Sequence, residues 1–259
     1  MKNKVSNPEK QWEILVTAHR GLHVDVPENS IASIQQTIEN NIDIIEVDVR
    51  ISKDGIPVLM HDETVDRTTN RTGPVASFTK DELKKMRLLY KGKETEYQIL
   101  TFEEALNYGK GKILFDIDIK TEQIGKIIQV VEKTNASASV FFFDSDWDVL
   151  EKVYAAHSDW KIMPRSYNKK EALEAYEKFN PWAIHVDPSF ATPELSDLLH
   201  SKGVRVWINS LGEVDDDLRL GKEDSFYELL KTRADIIQTD LPVEVKKLTA
   251  SKVIEIPRN

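Results

Sequence analysis

The sequence predicts an α/β chain folded as a (β/α)8 TIM barrel with a small insertion after the second strand. Short β-prone runs alternate with segments of helical period, which implies βαβ units and a parallel sheet. The strand count is about eight in roughly 250 residues, the repeat number of that barrel. A doubly wound open sheet is the structural alternative, and no G-x-G-x-x-G follows a strand to lend it dinucleotide support. The 259 residues read as one domain, 1–259, because neither an internal repeat nor a linker interrupts them.

The elements follow in order. EILVTA (13–18) is apolar and β-prone. SIASIQQTIENN (30–41) has helical spacing behind Asn29, a candidate cap. IDIIEVDVR (42–50) alternates strictly, and IPVLMH (56–61) reads as a short strand. TKDEL (79–83) and TFEEAL (101–106) each open on a T-x-x-E capping box. The strands KILFDIDIK (112–120), SVFFF (139–143), WKIMPR (160–165), WAIHVD (182–187), VRVWIN (204–209) and ADIIQTD (234–240) come next. The helices between them are EQIGKIIQVVEK (122–133), WDVLEKVYAAH (147–157), KKEALEAYEKF (169–179), TPELSDLLHSKG (192–203) and SFYELLKTR (225–233). Residues 62–100 break the alternation and read as an excursion over the barrel mouth.

The totals bound the function. Asp and Glu number 44 against 35 Lys and Arg, a formal net charge of −9. That balance argues against non-specific binding of nucleic acid or an anionic membrane. The absence of cysteine removes disulfides, thiol catalysis and zinc-thiolate sites. No run approaches the roughly 18 apolar residues of a membrane span, so stable membrane insertion is not expected. The start, MKNKVSNPEKQWEI, shows no apolar stretch. The expected location is therefore cytoplasmic, or periplasmic or secreted if a signal peptide was removed.

On a strand, residues i and i+2 share a face. Glu46, Asp48 and Arg50 thus oppose Ile45, Val47 and Val49, and Asp116, Asp118 and Lys120 oppose Phe115, Ile117 and Ile119. His185 with Asp187, and Arg205 with Trp207 and Asn209, fall on the polar faces of their strands. In a barrel the apolar face meets the helices, and the polar face looks inward and gathers at the strand C-termini, where barrel active sites lie.

Glu46 and Asp48 are two close carboxylates, which repel unless a cation or proton intervenes. Asp118 is a candidate third ligand, and an all-oxygen set favours Mg²⁺ or Ca²⁺ over zinc. An ion-pair network with Arg20, Arg50 and Lys120 is the alternative. His19 and His61 each close a strand and make a candidate acid/base pair. Arg20 and Lys120 suit a phosphate group, or else pair with the same carboxylates. Glu28 caps the next helix or orients Arg20, and Asn29 reads as the cap. Trp207 is a core residue or a substrate platform, and Arg165 a substrate contact or a surface ion pair. His185 faces substrate or core. His23, His157 and His200 read as surface residues.

These residues carry a resemblance. H19-R20-G21, P27-E28-N29-S30, E46-V47-D48-V49, D54-G55, H61-D62, D66-R67-T68-T69 and G73 resemble the glycerophosphodiester phosphodiesterase family, among the phosphatidylinositol-phospholipase-C-like barrels. The likeness continues through I117-D118-I119-K120 and V206-W207-I208-N209 to T239-D240. It implies a metal-dependent enzyme that hydrolyses glycerophosphodiesters to sn-glycerol 3-phosphate and an alcohol. His19 and His61 would be acid and base, Glu46 and Asp48 would bind the divalent ion, and Arg20 and Lys120 would hold the phosphate. The family commonly has Glu where this chain has Asp118, which retracts the oxygens by about one methylene; Asp116 on the same face is a candidate to compensate. The alternatives are a phosphodiesterase of another head group, phosphoinositide or lysophospholipase D-like, or a non-catalytic phosphodiester-binding barrel.

Overall fold

The computed structural model describes residues 12–250 and 253–254, so the reading of residues 1–11 as lacking a leader lies outside them. Eight strands form the barrel: β1 Leu15–Ala18, β2 Ile44–Ile51, β3 Leu114–Ile119, β4 Val140–Asp144, β5 Ile162–Ser166, β6 Ala183–Val186, β7 Arg205–Asn209 and β8 Ile236–Thr239. Each pairs in parallel with the next, and β8 pairs with β1 to close the ring. Closure leaves no free edge to template aggregation. Trp12–Glu13 pairs antiparallel with Val253–Ile254.

Strand faces divide as the alternation predicts. Ile45, Val47, Val49, Phe115, Ile117 and Ile119 pack outward, in one cluster with Phe102, Leu106, Ile127 and Val131 of the surrounding helices. Inside the barrel, Ile44, Phe141, Met163, Ala183, Trp207 and Ile236 form a second, apolar cluster. Burying each large side chain of this kind contributes about 1.5–3 kcal/mol, which holds the strands in register beneath the site. Two residues further along the strands, the inward positions are Glu46, Asp116, His185 and Gln238.

Capping boxes start the helices Lys80–Leu83 and Phe102–Gly109, where Thr79 and Thr101 exchange hydrogen bonds with Glu82 and Glu104. The first helix, Ile31–Glu39, is capped by Ser30 rather than Asn29: Ser30 Oγ accepts the Ser33 N–H, and Ser33 Oγ accepts the Ser30 N–H. Gly21 turns the chain into this region with φ +78, and a Cβ there would lie 2.6 Å from Ser33 Oγ. Only glycine fits that combination.

The segment 56–61 is not one of the eight strands. It shortens to Pro57–Leu59 and pairs antiparallel with the end of β2. The excursion that follows has its own small core of Val58, Met60, Val65, Val75, Leu83, Met86, Leu88 and Ile99, and a ribbon of Leu89–Tyr90 with Lys93–Glu94. Two helices were not anticipated, Glu213–Arg219 and Pro242–Thr249. His200 is not at the surface. Its helix buries Leu195, Ser196, Leu199 and His200 on one face, and His200 Nε2 lies 3.0 Å from Asp235 Oδ1. Among the described residues, no helix is long and apolar enough to cross a membrane.

Candidate active site

The C-terminal mouth of the barrel holds a cavity of about 110 Å³ lined by His19, Glu46, Asp116, Asp118, Phe143, Met163, Arg165, His185, Trp207, Asn209, Leu211 and Gln238. Parallel register puts Glu46 opposite Asp116 and Asp48 opposite Asp118. One oxygen each from Glu46, Asp48 and Asp118 lies within 4.8 Å of the others. Glu46 Oε1 and Asp48 Oδ1 are buried without a hydrogen-bond partner, as is Asp116 Oδ1. Orphaned carboxylate oxygens are costly unless a cation or proton satisfies them.

The electrostatics agree. Burial, then the charges of Asp48, Asp118 and Asp116, push the Glu46 carboxyl well above the usual range. Burial and the charges of Asp118 and Asp48 do the same to Asp116. Asp118 rises to about 6, chiefly from burial, although Lys120 pulls it down. The residues fit a hard divalent cation by donor type, spacing and orphaned oxygens.

The turn between β1 and the helix Ile31–Glu39 is built onto this cluster. Arg20 takes a left-handed φ of +53 and donates its backbone N–H to Glu46 Oε2 at 2.6 Å. Asn29, at φ +51, donates Nδ2–H to Asp48 Oδ2 at 2.8 Å and accepts the Asp48 N–H at 3.2 Å. Asn29 is therefore a carboxylate holder and not a helix cap. Glu28 takes the orienting role, accepting from Arg20 Nη1 at 3.0 Å.

Both histidines are anchored through Nδ1. His19 Nδ1 lies 2.8 Å from Asp240 Oδ1, and its Nε2 accepts from Arg20 Nε at 3.2 Å. This pattern requires the Nδ1–H tautomer. His19, His23 and Arg219 overcome the cost of burial and hold Asp240 down at about 2. His61 Nδ1 lies 2.6 Å from Asp62 Oδ1. His61 is not among the residues lining the cavity; it follows the Pro57–Leu59 strand, and its carbonyl accepts from Arg50 Nε.

The remaining candidates are placed as follows. Lys120 Nζ is 2.6 Å from Asp118 Oδ2 and 3.5 Å from Asp48 Oδ1, pairing with the acids themselves. Trp207 is fully buried at the cavity floor and donates Nε1–H to Asn209 Oδ1 at 3.1 Å. Arg165 is paired with Asp187 at 3.1 Å. His185 is buried with both ring nitrogens unpartnered, and burial and Arg165 lower it to about 3, so the ring is neutral. His23 is half-buried, with Nδ1 2.8 Å from the Gly21 carbonyl.

Residues 19–243 match the Glycerophosphoryl diester phosphodiesterase family. The chain belongs to this family. A glycerophosphodiester phosphodiesterase of Caldanaerobacter subterraneus is 30% identical over 224 residues, 80% of this chain and 90% of that one. A crystal structure of a glycerophosphoryl diester phosphodiesterase from Parabacteroides distasonis superposes with a TM-score of 0.83 at 28% identity, covering 96% of this chain and 93% of that one. A phosphodiesterase from Oleispira antarctica, solved in complex with the product sn-glycerol-3-phosphate, has the same fold with a TM-score of 0.76 at 24% identity over 92% and 97%. As a member of the family, this chain is a glycerophosphodiester phosphodiesterase.

Several polar contacts of this phosphodiesterase were not read from sequence. Asp62, Arg67 and Asp240 lie in H61-D62, D66-R67-T68-T69 and T239-D240, and the sequence alone assigns them no role. Their signal is chemical: a carboxylate next to a candidate catalytic histidine, or brought beside one by the fold, fixes its tautomer.

Proposed function

We propose that this phosphodiesterase hydrolyses glycerophosphodiesters to sn-glycerol 3-phosphate and a free alcohol. His19 and His61 serve as its acid/base pair, and Glu46, Asp48 and Asp118 hold Mg²⁺ or Ca²⁺. The observation that carries this reading is the acid triad at the strand ends, with one oxygen from each acid within 4.8 Å of the others, and Glu46 Oε1 and Asp48 Oδ1 buried without a hydrogen-bond partner. The product found with the Oleispira antarctica phosphodiesterase supports the glycerol 3-phosphate half.

When bound, the cation would supply charge neutralisation for the diester and its transition state. The chain's own groups do the rest. Arg20 and Lys120 hold the phosphoryl oxygens. Asp240 and Asp62 fix the Nδ1–H of each histidine, which directs each Nε2 to proton transfer. His19 rests with Nε2 unprotonated, accepting from Arg20, the state of a general base. It takes the proton of the nucleophile, and His61 protonates the leaving alkoxide. Trp207 seats Asn209 and the floor against which the substrate rests.

The test is turnover by the purified protein on a panel of glycerophosphodiesters and bis(p-nitrophenyl) phosphate, with EDTA and then Mg²⁺ or Ca²⁺ added back. Glycerol 3-phosphate that vanishes with EDTA and returns with one ion is the expected result. Full activity in EDTA overturns the metal reading, and no glycerol 3-phosphate from any diester overturns the reaction.

A further inference from the structure

The excursion of residues 62–100 contributes Arg67, whose guanidinium spans two carboxylates from different parts of the chain. Its Nη1 donates to Glu28 Oε2 at 2.7 Å and its Nη2 to Glu28 Oε1 at 2.8 Å. Its Nε donates to Asp62 Oδ2 at 2.7 Å and its Nη2 to Asp62 Oδ1 at 3.0 Å. Glu28 in turn holds Arg20, and Asp62 holds His61 Nδ1. The result is an unbroken path from His61 through Asp62, Arg67, Glu28 and Arg20 to His19. A second contact ties the same two parts together, Tyr90 Oη donating to the Val24 carbonyl.

The two ends of Arg67 are not equivalent. Arg20 keeps other holds without it, its own bond to Glu28 and its backbone bond to Glu46. The Asp62 carboxylate, among the described residues, has only His61 and Arg67 as side-chain hydrogen-bond partners. Removing Arg67 therefore frees Asp62 to rotate, and His61 with it.

We propose that Arg67 is a positioning residue of the cleavage reaction, which fixes the Asp62–His61 pair relative to Arg20 and His19. This rests on the reading of His61 as a catalytic group. A planar fork suits the task, because it meets two carboxylates with paired bonds in fixed directions, and a lysine ammonium does not. The Arg67 side chain is 47% exposed, so its worth lies in aim more than in stability. The Asp62 carboxylate answers to it: bonding to Arg67 is the largest influence holding that carboxyl below its usual range, against a smaller cost of burial.

The experiment is a double-mutant cycle on one glycerophosphodiester with kcat and KM measured for wild type, R67A, R67K, H61A and H61A/R67A. Tm and affinity for the activating ion serve as fold controls. R67A is expected to lower kcat by about 10- to 100-fold with KM within about 3-fold, and R67K to recover only part of the loss. In the H61A background, R67A is expected to add less than about 3-fold, because both changes remove one function. Wild-type kcat in R67A while H61A is impaired overturns the inference alone. So do effects that multiply in the double variant, or a rise confined to KM. Near-normal turnover in H61A overturns the histidine reading on which it rests.

Discussion

Asn29 and Asp48 bond to each other in both directions, amide to carboxylate at 2.8 Å and backbone N–H to amide oxygen at 3.2 Å. The pair fixes both the rotamer of a buried acid and the turn that carries His19 and Arg20. Its loss should be read in metal binding before activity. Asn29→Ala is expected to weaken the divalent ion by about 10- to 100-fold, the usual cost of losing a group that orients a ligand. It should also cost about 1–3 kcal/mol of stability, since Asp48 Oδ2 stays buried. Calorimetric titration and thermal melts check this; unchanged ion affinity would show that Asp48 is not a ligand oriented by Asn29.

The histidines should behave as an acid/base pair. His19→Ala and His61→Ala are each expected to lower kcat by about 10² to 10⁴-fold with Tm within a few degrees of wild type. Asp240→Asn should lower kcat in the same direction, because the amide no longer requires the Nδ1–H tautomer of His19. A variant of either histidine with near-normal kcat removes that residue from the mechanism.

The acid cluster sets a pH dependence of stability. Folded Asp118 has a pKa of about 6 against 3.8 for the free group, and Glu46 and Asp116 are raised as well. The folded state then binds more protons than the unfolded state between those values, so stability falls as pH rises through that window. For Asp118 the window runs from 3.8 to about 6, and the raised Glu46 and Asp116 carboxyls act in the same direction. Protein stripped with EDTA is expected to melt higher at pH 5.5 than at pH 8. Added divalent ion should raise Tm more at pH 8, where the acids are already ionised. Melts that rise with pH in EDTA would contradict the raised carboxyls.

Gly21 should not tolerate a side chain. Its φ of +78 and the 2.6 Å approach of a Cβ to Ser33 Oγ both oppose alanine. Gly21→Ala is expected to cost about 1–3 kcal/mol of stability through backbone strain. It should also lower activity, because the displaced turn carries the Arg20 N–H that Glu46 accepts. Denaturant melts alongside turnover test this; an alanine variant matching wild type in both would sink it.

The barrel and the inward faces were legible because they rest on local periodicity. Strict alternation in 42–50 and 112–120 names the residues that share a face, and parallel register then brings Asp48 opposite Asp118. The capping boxes at Thr79 and Thr101 were legible for the same reason, since donor and acceptor lie three residues apart. Asn29 was misread because its type suits a cap and its left-handed φ cannot be seen in sequence. His200 reads as a surface residue because a polar side chain near a helix end carries no signal of its partner, and Asp235, which it meets, is 35 residues away.

Alone, the sequence determined the fold class, the polar inner face and the residue types at the strand ends. Only the tertiary structure decided the partners: Asn29 on Asp48, 19 residues apart, Arg67 on Glu28, 39 apart, and His19 on Asp240, 221 apart. The physical reason is range. Periodicity and capping act within a few residues. These hydrogen bonds need β8 paired with β1, the Gly21 turn, and Arg67 brought against Glu28 from a distant part of the chain.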